Sequence, residues 1–345
     1  MKAVLIYEFG GVENLIFDEF PTPDISDEQV LVKVNAVALN HLDLFVRAGI
    51  PGLKLEMPHI LGSDISGTIE MIGSRVKHFS EGQRVIIDPS LSCRVCEFCC
   101  QGETSLCDKY QIIGEHMRGG YAEYIAIPSE NVIQIPDNAL IDMRDAAAVP
   151  LTFMTAYRML MTRAKLKIGE DVLITGIGGG VALAALQIAK LMGSRTFVTS
   201  SSNEKLQKAK QYGADFIINY KEQSDYQKEI WKLTGKRGVD IVIDSAGQET
   251  WDKNMRCLRK GGRLVTCGAT TGFNASTNLN LLFWKQFELL GSTMGSRNEL
   301  REVLKFVWDG RLKPIIDSFL PLSEAKRAHK KLEEGTQFGK IVLEP

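Results

Sequence analysis

Five of the seven cysteines fall between positions 93 and 107. Four of them, Cys93, Cys96, Cys99 and Cys107, are spaced C-x2-C-x2-C-x7-C. Four thiolates on one short loop are the donor set of a tetrahedral zinc site with no open position. Such a site is structural and stabilises a lobe with little core of its own, without activating a substrate. An iron–sulfur cluster competes, because C-x2-C-x2-C also opens the ferredoxin run. That run places its fourth cysteine after three residues and follows it with proline. Here the gap is seven and Asp108 follows, which favours zinc. Cys100 is an extra thiol, and Cys257 and Cys267 lie far away. A disulfide framework would spread its cysteines along the chain and need an oxidising compartment.

The second chemical signal is a glycine turn, Gly176-Ile177-Gly178-Gly179-Gly180-Val181-Ala182, directly after the apolar run DVLIT (171–175). Glycines let backbone N–H groups approach a pyrophosphate, and the helix that follows adds partial positive charge. Ala182 stands where the third glycine of the fingerprint is replaceable. The strand–turn–helix context makes this a dinucleotide site rather than a plain tight turn. An NAD site places a carboxylate at the end of the next strand, for the ribose 2′-hydroxyl. That strand ends Thr199-Ser200-Ser201-Ser202-Asn203-Glu204-Lys205. Small hydroxyls and Lys205 suit a 2′-phosphate, so NADP(H) is favoured over NAD(H). Glu204 is either a displaced acid or a solvated first-turn residue.

These motifs need elements to hold them. The first part of the chain reads as strands: VLIY (4–7), QVLVKVNAVAL (29–39), DISGTIEMIG (64–73), QRVIID (83–88) and YAEYIAI (121–127), with one helical stretch at 41–49. From about Arg144 strands and helices alternate, which means a parallel doubly wound sheet. Strands are expected at 171–175, 195–200, 216–220, 239–244 and 263–268, with a helical stretch over 249–262. After about Ser292 come a helix, a loop holding Pro314 and Pro321, a second helix and a closing strand, GKIVLEP. The chain has 345 residues, with 41 Lys and Arg against 42 Asp and Glu. That balance removes the cationic attraction behind sequence-independent binding to nucleic acid or anionic membranes. No apolar run approaches the roughly 18 residues of a bilayer span. The amino-terminal MKAVLIYEFGG is too short in apolar residues for a signal-peptide core. A cytoplasmic two-domain protein is expected.

In order along the chain, the strand-rich amino-terminal part, the four-cysteine loop, GGYAEY (119–124), the inserted glycine-turn domain and GKIVLEP resemble the medium-chain dehydrogenase/reductase superfamily. The likeness spans essentially the whole chain and is greatest to its zinc-containing alcohol dehydrogenases and quinone oxidoreductases. It implies an α/β fold: a GroES-like β-rich catalytic domain over 1–151 and 292–345, with a zinc lobe at about 89–112, and a Rossmann domain over 152–291. Alcohol dehydrogenases of the family hold a catalytic zinc with Cys, His and Cys. On this likeness those positions are Asn40, Ser63 and Leu151, none of which makes a tight zinc site. Leu42 replaces the proton-relaying hydroxyl and Phe45 a further relay histidine. The quartet Asn40-His41-Leu42-Asp43 is similar to the N-P-x-D segment of quinone oxidoreductases.

Without that metal, a carbonyl lacks the electrophile that alcohol chemistry requires. Hydride addition to a conjugated C=C instead develops charge that hydrogen-bond donors can stabilise. The expectation is an NAD(P)H-dependent reductase of an activated alkene, enoyl thioester or quinone. Alternatives are a zinc-type alcohol or aldehyde dehydrogenase and an NADPH-binding protein without turnover. The likeness implies that Gly176, Gly178, Gly179, Gly180, Val181 and Ala182 hold the pyrophosphate, and that His41 touches it. It gives Ser200, Ser201 and Lys205 the adenosine phosphate, Tyr220 the adenine and Lys340 a phosphate. Thr155 should pack on the nicotinamide. Backbone groups of Cys267, Gly268, Ala269, Ser292 and Met294 should meet its carboxamide. Asn40 and Asp43 should face a small-molecule substrate. His41, His59 and His116 also raise a metal site, against the commoner structural reading. In this family the apolar stretch matching 278–291 helps pair two Rossmann sheets, so the likeness implies a homodimer or homotetramer, against the plain-core reading.

Overall fold

The computed structural model describes residues 1–345. It divides into two compact units, Met1–Thr152 with Ser296–Pro345, and Phe153–Gly295. No helix is long and apolar enough to cross a membrane.

The first unit is built on antiparallel pairing. Gln29–Ala38 is its spine, flanked by Asp64–Ile72, Tyr124–Pro128 and Lys340–Glu344. Its residues alternate buried and exposed over 32–36, as a strand with one covered face requires. Lys2–Ile6 pairs with Ile16–Glu19 and His59–Ile60 in a second sheet. Val4, Ile6, Val32, Ile65, Ile125, Leu343 and Tyr121 share one core. The YAEYIAI strand starts at Tyr124 rather than 121, because Tyr121 and Glu123 bond to Val4 and Lys2 in the other sheet. The stretch with Pro314 and Pro321 is not all loop: Ile316–Pro321 is a strand parallel to Lys340–Glu344. Its prolines bracket the strand, where a missing N–H costs nothing.

The second unit is a six-stranded parallel sheet. Its spatial order is Phe216–Asn219, Arg195–Ser200, Asp171–Ile174, Val239–Asp244, Leu258–Thr266, Glu288–Gly291. This is the Rossmann order, with its switch between Asp171–Ile174 and Val239–Asp244. The helical reading of 249–262 runs too far. The helix is Trp251–Cys257, and the strand begins at Leu258, which pairs with Val239 before a register shift. The apolar run 278–291 splits into a helix, Leu279–Lys285, and the edge strand Glu288–Gly291.

Candidate functional site

In the second unit the strand Asp171–Ile174 runs into the glycine turn, and the helix Gly180–Leu191 opens directly after it. Gly176 and Gly178 take φ of +66° and +122°, conformations a side chain resists. A Cβ on Gly176 would meet nothing within 4 Å, so the turn faces open space at the sheet's switch point. A Cβ on Gly178 would strike Lys205 Cδ at 2.9 Å, which lays the Lys205 stem across the turn. The strand Arg195–Ser200 ends in hydroxyls that are locally engaged. Ser200 Oγ accepts from Ser202 N–H, and Ser202 Oγ caps the next helix by accepting from Lys205 N–H. Glu204 points away along that helix and pairs with Lys208 at 2.7 Å. Tyr220 is 40% exposed, and its N–H donates to Ser200 O.

Thr155 is buried, and its hydroxyl has no hydrogen-bond partner, as does that of Ser292. Cys267 N–H donates to Asp244 O, and Ser292 N–H to Thr266 O. Met294 is buried with φ +47°. Behind the turn, Asp244 accepts from Thr175 Oγ1, Thr250 Oγ1, Asn254 Nδ2 and Gly247 N–H. An open glycine turn on a helix N-terminus, with the Asp244 carboxylate behind it occupied by four donors, fits a dinucleotide pyrophosphate.

The first unit holds the other group. Asn40 caps the helix His41–Ala48, with Asp43 completing a capping box. His41 is exposed at the helix start. Asp43 is 1% exposed; Oδ2 accepts from Asn40 N–H at 2.7 Å and Oδ1 from Gly62 N–H at 3.0 Å. Burial outweighs these bonds and the nearby Lys340 charge, and pushes its carboxyl up to about 6. Lys340 is also buried. Its ammonium donates to Asn40 Oδ1 at 2.6 Å and Asp64 Oδ2 at 2.9 Å. Asp64 further accepts from Asn40 Nδ2 and from Leu151 N–H. Ser63 is fully buried with an unpartnered hydroxyl. Of the three positions matched to catalytic-zinc ligands, Asn40 offers an amide already engaged by the Lys340 ammonium, Ser63 an unpartnered hydroxyl, and Leu151 no side-chain donor. That set does not fit a divalent cation. His59 Nε2 bonds Gly114 O, and His116 Nδ1 accepts from Ile112 N–H, so each histidine is tied to local backbone.

The four sulfurs of Cys93, Cys96, Cys99 and Cys107 lie within 4.8 Å of one another. A tetrahedron of Zn–S bonds has S···S edges of about 3.8 Å, so the set fits zinc with small adjustment. Backbone N–H groups of Cys93 and Lys109 donate to Cys107 Sγ, and that of Cys96 to Cys93 Sγ. Such donors favour thiolates. Cys100 is exposed and outside the set.

The missed residues are Arg47, Tyr121, His329 and Glu333. They are linked by hydrogen bonds at sequence separations of 208 to 286, which no local spacing reveals.

A GroES-like β unit, a Rossmann unit with an open glycine turn and a four-thiolate lobe define an NAD(P)-dependent oxidoreductase. Residues 26–137 match the alcohol dehydrogenase GroES-like domain, and 180–309 the zinc-binding dehydrogenase domain. A crystal structure of an NAD-dependent alcohol dehydrogenase is 42% identical, with a TM-score of 0.96 and full coverage of both chains. The quinone oxidoreductase of Homo sapiens is 30% identical over 99% of this chain and 97% of its own. The acryloyl-coenzyme A reductase of Sulfurisphaera tokodaii is 28% identical over the whole of both. The chain belongs to the medium-chain dehydrogenase/reductase superfamily.

Proposed function

We propose that this protein is an NADPH-dependent reductase of an activated C=C bond or a quinone, with one structural zinc per chain and no catalytic zinc. The observation that carries the reading is the buried Asn40–Lys340–Asp64 cluster, where metal-dependent relatives would present ligands. Bound NADPH would supply the hydride. The chain's part is to hold it on the glycine turn and to meet developing negative charge with hydrogen-bond donors. Lys205, Ser200 and Ser201 bind the adenosine phosphate, with Tyr220 against the adenine. Thr155 and the strand-end backbone at Cys267–Ala269 and Ser292–Met294 seat the nicotinamide. His41 and the third N–H of Lys340 serve the phosphates, and Asn40 borders the acceptor. The names quinone oxidoreductase and acryloyl-coenzyme A reductase among the relatives agree with this class. The exposed Leu279, Phe283 and Trp284, beside the edge strand Glu288–Gly291, are the proposed pairing surface of a homodimer or homotetramer.

A second reading, an alcohol or aldehyde dehydrogenase, rests on the 42% identity to a structure of that name. NADPH and NADH oxidation with a quinone, an enone, an acryloyl or crotonyl thioester and a ketone separates them, with zinc measured on the same sample. Turnover of an alkene or quinone with one zinc per chain is expected. Turnover of the ketone alone, or two zinc ions, overturns the proposal. Tight NADPH binding with no acceptor reduced would leave a binding protein. Lys205→Ala should cut the preference for NADPH over NADH by roughly 10-fold, the loss of one charge-assisted contact.

A further inference from the structure

Behind the helix His41–Ala48, five polar side chains form one line through the core of the first unit. Glu333 pairs with Arg47. Arg47 Nη1 lies 3.1 Å from His329 Nδ1, and His329 Nε2 lies 3.1 Å from Tyr121 Oη. The Tyr121 hydroxyl in turn interacts with the Asp43 carboxylate. Asp43 ends the line on the N–H groups of Asn40 and Gly62. Arg47, His329, Tyr121 and Asp43 are all buried, and His329 and Tyr121 are wholly so.

Arginine has no acceptor, so Arg47 must donate to Nδ1, and that nitrogen carries a lone pair. The neutral ring then holds its proton on Nε2 and donates it to Tyr121 Oη. The phenol proton is left for Asp43. Burial first, and then the Arg47 charge, hold the His329 pKa down to about 3, so the ring stays neutral. Every proton in the line thus has one place. The fold shapes itself to the line: a Cβ on Gly62 would fall 2.5 Å from the Tyr121 ring, and Gly62 takes φ +100°. Arg47 Nε also donates to Gly10 O, tying in the loop after the first strand.

We propose that Tyr121 and His329 are positioning residues of the reductase site. Together with Arg47 they hold Asp43, and through it the Asn40–His41 helix start and the Gly62–Asp64 turn, in a single hydrogen-bonded arrangement. The role at the site rests on the reading under Proposed function; the arrangement itself does not. Asp43 is faced by Lys340 and Asp64 from the two neighbouring strands, by Tyr121, by Arg47 on its own helix, and by the neutral His329 behind Tyr121. Protonating Asp43 turns an acceptor into a donor, and the line loses its end.

Tyr121→Phe removes one hydroxyl and keeps the ring, and it is the primary variant. His329→Gln keeps one donor and one acceptor, while His329→Leu keeps neither. For the wild type, kcat/KM for the reduced acceptor should fall as pH drops through about 6. In Tyr121→Phe the polar hydroxyl that faces the carboxylate is lost, so this acid limb should move up. Its kcat should fall roughly 10-fold, while KM for NADPH stays within about two-fold. His329→Leu should behave likewise and His329→Gln should recover most of the loss. Independently of turnover, 15N-histidine NMR should show one ring, absent from His329→Gln, as the neutral Nε2–H tautomer throughout pH 5–8. An acid limb unmoved in Tyr121→Phe overturns the positioning role. A His329 ring that titrates in this range, or carries its proton on Nδ1, overturns the arrangement. If no acceptor is reduced, the reductase reading fails while the NMR result still decides the line.

Discussion

The rim of the second unit and the core of the first handle their carboxylates in opposite ways. In the second unit the sheet's amino-terminal edge carries a mesh of charges. Asp171 takes Arg195, Asp240 takes Arg237 and Arg259, and Glu170 takes Arg263. Burial raises the Asp240 carboxyl, but the Arg237 and Arg259 bonds and the Asp171 N–H outweigh it and bring it to about 2. Glu204, Asp215 and Asp225 are also lowered. In the first unit Asp43, Asp88, Glu115 and Asp145 are all raised, each chiefly by burial. The exceptions, Asp309 and Asp317, sit against Arg311 and Lys331. The rim of the second unit sets its acids against arginine. The core of the first holds Asp43 on backbone N–H groups, much as Asp244 is held by neutral donors inside the second, which fixes geometry at the expense of charge stability.

The comparison is broken most severely at the zinc lobe. Removing zinc with a chelator should lower the melting temperature of the first unit by on the order of 10 °C. Hydrogen exchange should quicken first over 89–112 and leave the Rossmann sheet protected. Equal loss in both units would show that the lobe is not a local support. Next in size, His329→Leu takes one buried partner from each of Arg47 and Tyr121 and should cost roughly 2–4 kcal/mol in urea unfolding. Arg237 is half-exposed, so Arg237→Ala at the charged rim should cost about 1 kcal/mol or less, and less still in high salt. A rim variant as costly as the core one would erase the distinction.

The last effect is one of sign. An acid whose folded pKa is raised binds more protons folded than unfolded between the two values, so stability falls as pH rises through that window. For Asp43 the window runs from about 3.8 to about 6. For Asp240 it runs from about 2 to 3.8, and stability is gained as pH rises. Hydrogen exchange followed residue by residue between pH 4 and 7 should show the first unit loosening as pH rises and the second unchanged. Loosening of both in parallel would remove the contrast.

Much of the cofactor half was legible because its chemistry is local. A glycine turn between a strand and a helix, and four cysteines on one loop, are patterns of short spacing. A β-rich first part and a doubly wound second part followed from strand density and from alternation, while the GroES-like class came only with the family resemblance. The misreadings lie where pairing partners are distant. Leu258 belongs to a strand because Val239 is beside it, and Ile316–Pro321 because Lys340–Glu344 is. Asp43 read as a residue facing substrate; the fold gives both of its oxygens to backbone N–H groups.

The sequence by itself determined which residue types stand at each motif: four cysteines on one loop, glycines after a strand, and an amide, a hydroxyl and a leucine at positions 40, 63 and 151. Those facts are properties of side-chain chemistry and of spacing within a turn or two. Only the tertiary structure decided that Lys340 comes to lie against Asn40 across 300 residues, and that Arg47, His329 and Tyr121 line up behind Asp43. Burial and long-range contact set the charge state of a buried acid, and both exist only once the sheets have packed.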